Sequence, residues 1–149
     1  MITSRIPISL LILILILLSP SFVLSDTQIQ LDVKIILASD KASNVDPKLE
    51  NLIKELKTVF RYSSYQLLGR DRLRLRANSI GNVTLPENRK IKITPKGVSG
   101  DRVILELEIL KNKSQIFQTV IKLKNRSSIT IGGPEYQGGN LLFNIFASF

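Results

Sequence analysis

The sequence predicts an α+β domain with one strand and one capped helix, followed by an antiparallel β-meander on whose apolar face the helix packs. Three changes of pattern support this class. Apolar and polar residues alternate over residues 28–38, apolar residues take a helical spacing after Asp46, and the period returns to two from Phe60 onward. Most connections between the later segments are short, so we expect neighbouring strands to pair antiparallel.

The first two elements are a strand and a helix. Residues 28–38 alternate isoleucine, leucine and valine with polar residues, which indicates a strand with one buried face. Asp46 followed by Pro47 is typical of a helix N-cap with proline at the first helical position. The helix is expected to continue to Phe60, because apolar residues recur along one stripe up to that point.

The remainder of the chain is interpreted as short strands separated by turn residues. We place breaks at Gly69, at residues 95–101 and at residues 132–139, where glycine and proline concentrate. The predicted strands are residues 60–68, 72–78, 82–85, 89–94, 102–110, 115–124, 128–131 and 141–148.

The amino-terminal residues have the pattern of a secretory leader. Arg5 precedes an apolar run, and small residues follow before Asp26. We therefore predict that residues 1–25 are a signal peptide, that residues 26–149 form a single domain, and that the protein is exported, in a bacterium to the periplasm. The chain has no cysteine, so packing alone is expected to stabilise the fold. Loss of Arg5 with the leader reduces the net charge from +9 to +8.

The composition excludes most catalytic classes. The chain has neither histidine nor cysteine, and therefore lacks the usual general base, the usual thiol nucleophile and the commonest zinc ligands. Glu106 and Glu108 alternate along one predicted strand, but glycosidase carboxylates come from different strands of an aromatic-lined cleft, and the chain has no tryptophan. We predict a protein that is not an enzyme and that uses no cofactor and no metal.

A basic ladder is the first candidate binding feature. Arg70, Arg72, Arg74 and Arg76 alternate with other residues, so in a strand their guanidinium groups point the same way, and Lys90 and Lys92 repeat the arrangement. Such groups suit phosphate or carboxylate. The alternative is a solvated face whose cations pair across strands with Glu106 and Glu108. No aromatic residue is interleaved with the ladder, so nucleic acid is not expected as a partner.

The second candidate feature is the glycine-rich segment, residues 132–139. Paired glycines at both of its ends permit close backbone approach, Pro134 stiffens it and Tyr136 offers an amphipathic contact. Gly133, Pro134, Tyr136 and Gly138 are therefore candidate contacts for a partner. The alternative is a long hairpin connection, for which glycine pairs are ordinary turn chemistry.

The carboxyl-terminal strand supports a different hypothesis. Leu141, Phe143, Ile145 and Ala147 alternate up to the terminal Phe149, a pattern similar to the closing strand of outer-membrane β-barrels. The same alternation also suits the last core strand of a soluble sheet, with both faces partly covered.

Several short motifs together resemble a group of small exported bacterial proteins of unknown function. They are Phe60-Arg61-Tyr62-Ser63-Ser64-Tyr65, Leu85-Pro86, Ile93-Thr94-Pro95 and Gly132-Gly133-Pro134. This resemblance covers most of residues 26–149 and implies no activity. Residues 120–133 are also similar to the strand ending in paired glycines in the pore domain of outer-membrane secretins, which implies a place in envelope assembly.

These observations lead to one functional hypothesis and one alternative. We expect a non-enzymatic periplasmic binding or accessory module that presents its basic strand faces and glycine-rich segment to an envelope protein or an anionic envelope polymer. The alternative is an outer-membrane component, either a small β-barrel or a pore-associated protein. The sequence leaves membrane association and oligomeric state open.

Overall fold

The computed structural model describes residues 26–149, and the proposed signal peptide, residues 1–25, lies outside the described residues. The elements in chain order are β1 (Ile29–Ser39), a 3-10 turn (Pro47–Leu49), α1 (Glu50–Phe60), β2 (Ser64–Leu75), β3 (Gly81–Leu85), β4 (Arg89–Ser99), β5 (Arg102–Lys111), β6 (Ser114–Lys124), β7 (Ser127–Tyr136) and β8 (Gly139–Ser148). Among the described residues, no helix has the length and apolarity needed to cross a bilayer.

The strands form two sheets of four. The first sheet has the order β2-β1-β8-β7 and the second the order β3-β4-β5-β6, and every pairing within them is antiparallel. Antiparallel pairing is thus confirmed, but the predicted single meander is wrong, because the strands divide between two sheets and the meander of β3 to β6 accounts for one of them. Within residues 26–149 the chain is mostly β with one short helix, and its strands form two separate sheets.

The main core lies between the two sheets. It takes the inward residues of both, such as Val33 and Ile145 from the first sheet and Ile93 and Leu105 from the second, all fully buried. The alternation along each strand explains this arrangement, since every second side chain points to the same face. The alternating residues of β8, from Leu141 to Ala147, belong to this core.

A second apolar cluster lies on the other face of the first sheet. It contains Leu49 and Leu56 together with Ile36, Ala38 and Leu142. This explains why β1 stops alternating after Ile35 and continues with consecutive apolar residues, because that half of the strand is buried on both faces.

The helical region begins where the sequence predicts, although its first turn is 3-10 and α1 starts only at Glu50. The Asp46 carboxylate accepts a hydrogen bond from the Lys48 amide at 2.9 Å, and Pro47 occupies the first position of the 3-10 turn that leads into α1. The helix ends at Phe60, followed by Arg61 in the left-handed conformation.

Two predicted breaks are β-bulges instead. The predicted strands 60–68 and 72–78 merge into the single strand β2, which is shorter at both ends, and the register against β1 shifts next to Gly69. Similarly, β4 passes through Pro95 and continues to Ser99, with a register shift between Pro95 and Gly97. Glycine and proline mark both sites because an extra residue disrupts the ladder there, but the strands continue.

Candidate anion-binding face

The arginine ladder lies on the outer face of the first sheet, along its edge strand β2. Arg70, Arg72 and Arg74 are exposed, whereas Leu75, in the alternate set, is buried in the core. Arg76 follows the end of β2 and is also exposed, and its guanidinium lies 2.8 Å from the Asp26 carboxylate. The two-residue period of the strand thus places the three arginines of β2 side by side on one surface.

Asp32 on β1 is the central acid of this surface. It is the register partner of Arg72, and both its oxygens accept hydrogen bonds from Arg70, with Nε to Oδ1 at 2.8 Å. The Arg70 guanidinium holds the pKa of the Asp32 carboxyl below its usual value against the opposing effect of burial, and the pKa of Arg70 is raised by the same hydrogen bond. Arg72 is farther from this carboxylate, with Nε at 3.8 Å from Oδ2.

The alternative interpretation, in which the basic residues pair across strands with Glu106 and Glu108, is confirmed for Lys92 and is wrong for the arginines. Both glutamates are on β5 in the second sheet, where the Glu108 carboxylate lies 2.6 Å from the Lys92 ammonium and the Glu106 carboxylate 2.9 Å from that of Lys96. The acids that pair with the ladder are Asp32 on β1 and Asp26, which precedes β1. The sequence could not show this, because the sheet order depends on contacts distant in the chain.

An open groove of about 520 Å³ runs along the outer face of the first sheet. Its walls come from β2, β1 and β8, and the residues that matter for binding are Arg72, Arg74, Gln30, Asp32, Phe146 and Ser148. Cross-strand register explains the set: Gln30 lies between Arg74 and Ser148, and Asp32 lies between Arg72 and Phe146. The groove therefore combines two arginines with one carboxylate, amide and hydroxyl groups and one aromatic ring.

No protein-family model, curated protein or solved structure matches this chain.

Lys90 and Lys92 do not join the arginine ladder. They lie on β4 in the second sheet, on the face opposite the buried Ile91 and Ile93, and so on the other side of the sandwich. Lys92 is paired with Glu108. The two basic features predicted from the sequence are therefore separate surfaces, and only the arginine ladder borders a groove of the first sheet.

The glycine-rich segment is mostly strand. β7 extends to Tyr136 and β8 begins at Gly139, so the connection is the two-residue turn Gln137-Gly138, with φ values of 49° and 72°. The alternative interpretation was a long hairpin connection, and the observed connection is shorter than that. Gly133 and Pro134 fall at an irregularity in the pairing of β7 with β8, between Gly132 and Glu135.

A second cleft, of about 610 Å³, opens at the turn between β7 and β8. Tyr136 and Gly138 line it, whereas Gly133 and Pro134 do not, and its charged lining residues are Asp40, Lys41, Glu87 and Glu135. Because three of these four are acidic, the cleft disfavours an anion. The glycine-rich segment therefore does not extend the basic surface.

Arg89 holds one wall of this cleft in place. Its side chain is 3% exposed, and it pairs with Glu87 and donates to the Pro86 and Glu135 carbonyl oxygens at 3.2 and 3.1 Å. Its guanidinium also lies 5.9 Å from the centre of the Tyr136 ring. Within residues 26–149, no group of three or more histidine, cysteine or acidic side chains is placed to hold a metal ion.

Four residues of the groove were not predicted as site residues from the sequence: Gln30, Asp32, Phe146 and Ser148. The signal for the first two was present, since they are the polar positions of the alternating first strand. Their proximity to the arginines follows from β1 lying between β2 and β8, and that order has no local signature in the sequence.

Acid is expected to weaken the fold in part through Asp32. Because the folded-state pKa of this carboxyl is lowered, its stabilising contribution is present above the unfolded-state value of 3.8 and is lost as pH falls through the folded-state value. We expect the free energy of unfolding of Asp32→Asn to vary less with pH below about 4 than that of the native protein. Urea unfolding monitored by circular dichroism across this range measures the difference, and identical pH profiles for the two proteins would contradict the role of Asp32.

Proposed function

We propose that the chain is an exported, non-enzymatic binding module of the cell envelope, and that the groove on the outer face of its first sheet holds an anionic polymer. The observation that carries the proposal is the pair Arg72 and Arg74, which border the groove on neighbouring outward positions of β2. Their α-carbons are about 7 Å apart, so each guanidinium can bind a separate anionic group along an extended ligand.

Arg72 and Arg74 differ from Arg70 because their guanidinium groups remain available to bind a ligand. Arg70 donates three hydrogen bonds to Asp32, whereas the Arg72 side chain is 74% exposed and its Nε lies 3.8 Å from Oδ2 of that carboxylate. Arg74 makes no ion pair within residues 26–149. Because a guanidinium is planar and always charged, both can bind carboxylate or phosphate in bidentate fashion.

The rest of the groove favours a polymer that also carries hydroxyl groups. Gln30 and Ser148 supply donors and acceptors, and Asp32 can accept from a hydroxyl but would repel a second anion beside it. Phe146 adds an apolar surface on the far wall. An acidic polysaccharide combines these features, with charges spaced by uncharged, hydroxyl-bearing units.

The overall charge supports binding of such a ligand. Residues 26–149 carry a net charge of +8, which raises the local concentration of an anionic polymer, and this attraction weakens as salt screens it. We propose binding and not catalysis because the chain has neither histidine nor cysteine.

Charge reversal of the two groove arginines is the direct test. We expect Arg72→Glu with Arg74→Glu to weaken binding to immobilised polygalacturonate by at least about tenfold at low salt, because both bidentate contacts are lost. Binding of the native protein should fall as the salt concentration rises. Surface plasmon resonance over a series of salt concentrations measures both effects.

The matched control changes the same charge on the other sheet. Lys113→Glu with Lys122→Glu alters two exposed lysines, one directly before β6 and one near its end, and should weaken polygalacturonate binding much less. Equal losses for the two double variants would mean that net charge alone attracts the polymer, and the groove proposal would be wrong. Since a glutamate at position 72 would face Asp32, Arg72→Gln with Arg74→Gln serves as a milder variant, and thermal unfolding checks that each protein is folded.

A further inference from the structure

The sandwich has four edge strands, and three of them are protected against pairing with another chain. An edge strand presents unpaired N–H and C=O groups, and natural proteins block such edges with charges, proline, bulges or short length. β2 carries Arg70, Arg72 and Arg74, β3 spans only five residues, and β7 contains Pro134 next to an irregularity in its pairing. The fourth edge, β6, differs from these three.

The middle of β6 lacks such protection. Residues 114–121 contain no charged side chain, and Ile116, Phe117 and Val120 are all large, apolar and exposed. A register shift against β5 leaves Ile116 as an extra residue near the start of the strand, but β6 pairs regularly from Phe117 onward. An uncharged apolar edge of this kind is a template for a further strand.

The two sides of this edge offer different contacts to an added strand. Val120, opposite Glu106, lies on the outer face and is 56% exposed. Phe117, opposite the buried Ile109, lies on the inner side, where it borders a small apolar gap together with Ile131 and Phe143. A strand with apolar groups on both of its faces could therefore cover both exposed residues at once.

Lysines flank the uncharged run at both ends. Lys113 precedes it and Lys122 follows it, and neither makes an ion pair within residues 26–149. The edge therefore favours an extended segment with an apolar centre and acidic ends. A second copy of this chain fits poorly, because antiparallel pairing of residues 114–121 with themselves would place Lys113 opposite Lys122 of the other copy at each end.

From this arrangement we propose that β6 is a docking strand for a partner protein, which adds an extended segment with an apolar centre and acidic ends to the second sheet. Main-chain hydrogen bonds to β6 provide affinity, Val120 and Phe117 contact the centre of the segment, and Lys113 and Lys122 bind its ends. The site is on the opposite side of the sandwich from the arginine groove and does not depend on it.

A synthetic peptide tests the proposal directly. The probe is fluorescein-labelled Asp-Glu-Val-Thr-Val-Thr-Val-Glu-Asp, whose valines give one face of its centre apolar contact, whose threonine methyl groups give the other, and whose ends are acidic. We expect saturable binding by fluorescence anisotropy, accompanied by slower hydrogen exchange of β6 amides. Val120→Lys should weaken binding at least about tenfold, because a charge in the middle of the edge opposes strand addition.

The choice of lysine separates strand addition from simple attraction between opposite charges. Val120→Lys makes the protein more positive, so non-specific attraction would strengthen binding of the acidic peptide while strand addition weakens it. Ile80→Lys is the matched control, because Ile80 is 55% exposed, lies outside the strands and receives the same added charge. It should leave peptide binding within about twofold of the native value.

Three further results decide the assignment. Lys113→Glu with Lys122→Glu should weaken peptide binding at least about tenfold, and Arg72→Glu with Arg74→Glu should leave exchange protection of β6 in place. If the arginine variant abolishes binding, the peptide occupies the groove and the β6 proposal is wrong. If sedimentation shows a dimer that Val120→Lys dissociates, the occupant is a second copy, and the proposal of a different partner is overturned.

Discussion

Replacing Gly139 by alanine is expected to reduce the free energy of unfolding by about 3 kcal/mol, because the first residue of β8 packs directly on β1. A Cβ atom at position 139 would overlap the Ala38 carbonyl oxygen and would lie 2.8 Å from the Ser39 Cβ. Both neighbours belong to β1, which lies between β2 and β8, so the backbone has little freedom to move away. Urea unfolding followed by circular dichroism measures the loss.

Gly132→Ala is the control for this prediction. Gly132 lies on the neighbouring strand β7, and a Cβ there would make an ordinary contact with the Phe60 ring at 3.7 Å. We therefore expect a change within about 0.5 kcal/mol. If the two alanine variants lose equal stability, the close approach of β8 to β1 does not set the requirement for glycine at position 139. Gly138 and Gly139 both line the cleft at this turn, and glycine is favoured at the two positions for different reasons. Position 139 requires glycine because a Cβ atom has no space there, and position 138 favours glycine because its φ is 72°.

The local features of the fold could be predicted from the sequence because each has a local cause. The Asp46-Pro47 start of the helical region follows from capping chemistry, and the shared face of Arg70, Arg72 and Arg74 follows from the strand period. Antiparallel pairing follows from short connections.

The division into two sheets could not be predicted in the same way. Strands β2 and β3 are consecutive in the chain but belong to different sheets, and β1 pairs with β8 from the other end of the chain. A strand of alternating pattern buries one face whether the cover is a helix or another sheet, so the pattern alone does not distinguish the two. One signal was available, since the consecutive apolar residues after Ile35 indicate burial on both faces.

The candidate groove could be predicted only in part, because the sequence pattern does not show the order of strands in a sheet. Its arginines were found because they alternate along one strand, whereas its acid Asp32 and its ring Phe146 belong to strands that only the sheet order brings beside β2. Bulges caused a related error, because the turn residue Gly69 has the same composition signal whether a strand ends or an extra residue interrupts its ladder.

The two-sheet core predicts a large difference between two neighbours on β5. Leu105 is fully buried between the sheets, whereas Ile104 points to the outer face of the second sheet and is only half-buried. We expect Leu105→Ala to reduce the free energy of unfolding by about 2–5 kcal/mol, because it removes buried methyl groups and leaves a cavity at the centre of the core. Thermal and urea unfolding measure the loss.

Ile104→Ala is the matched control, since it removes a side chain of similar size from the adjacent residue. Its register partners are Gly97 on β4 and Lys122 on β6, neither of which forms a tightly packed apolar wall, so we expect a loss below about 1.5 kcal/mol. The ratio of the two losses of unfolding free energy depends on which face of β5 meets the other sheet. The helix does not affect this ratio, because α1 contributes to the separate cluster around Ile36 and Leu142. A larger loss for Ile104→Ala than for Leu105→Ala would place the core on the opposite face of the second sheet and would contradict the sandwich.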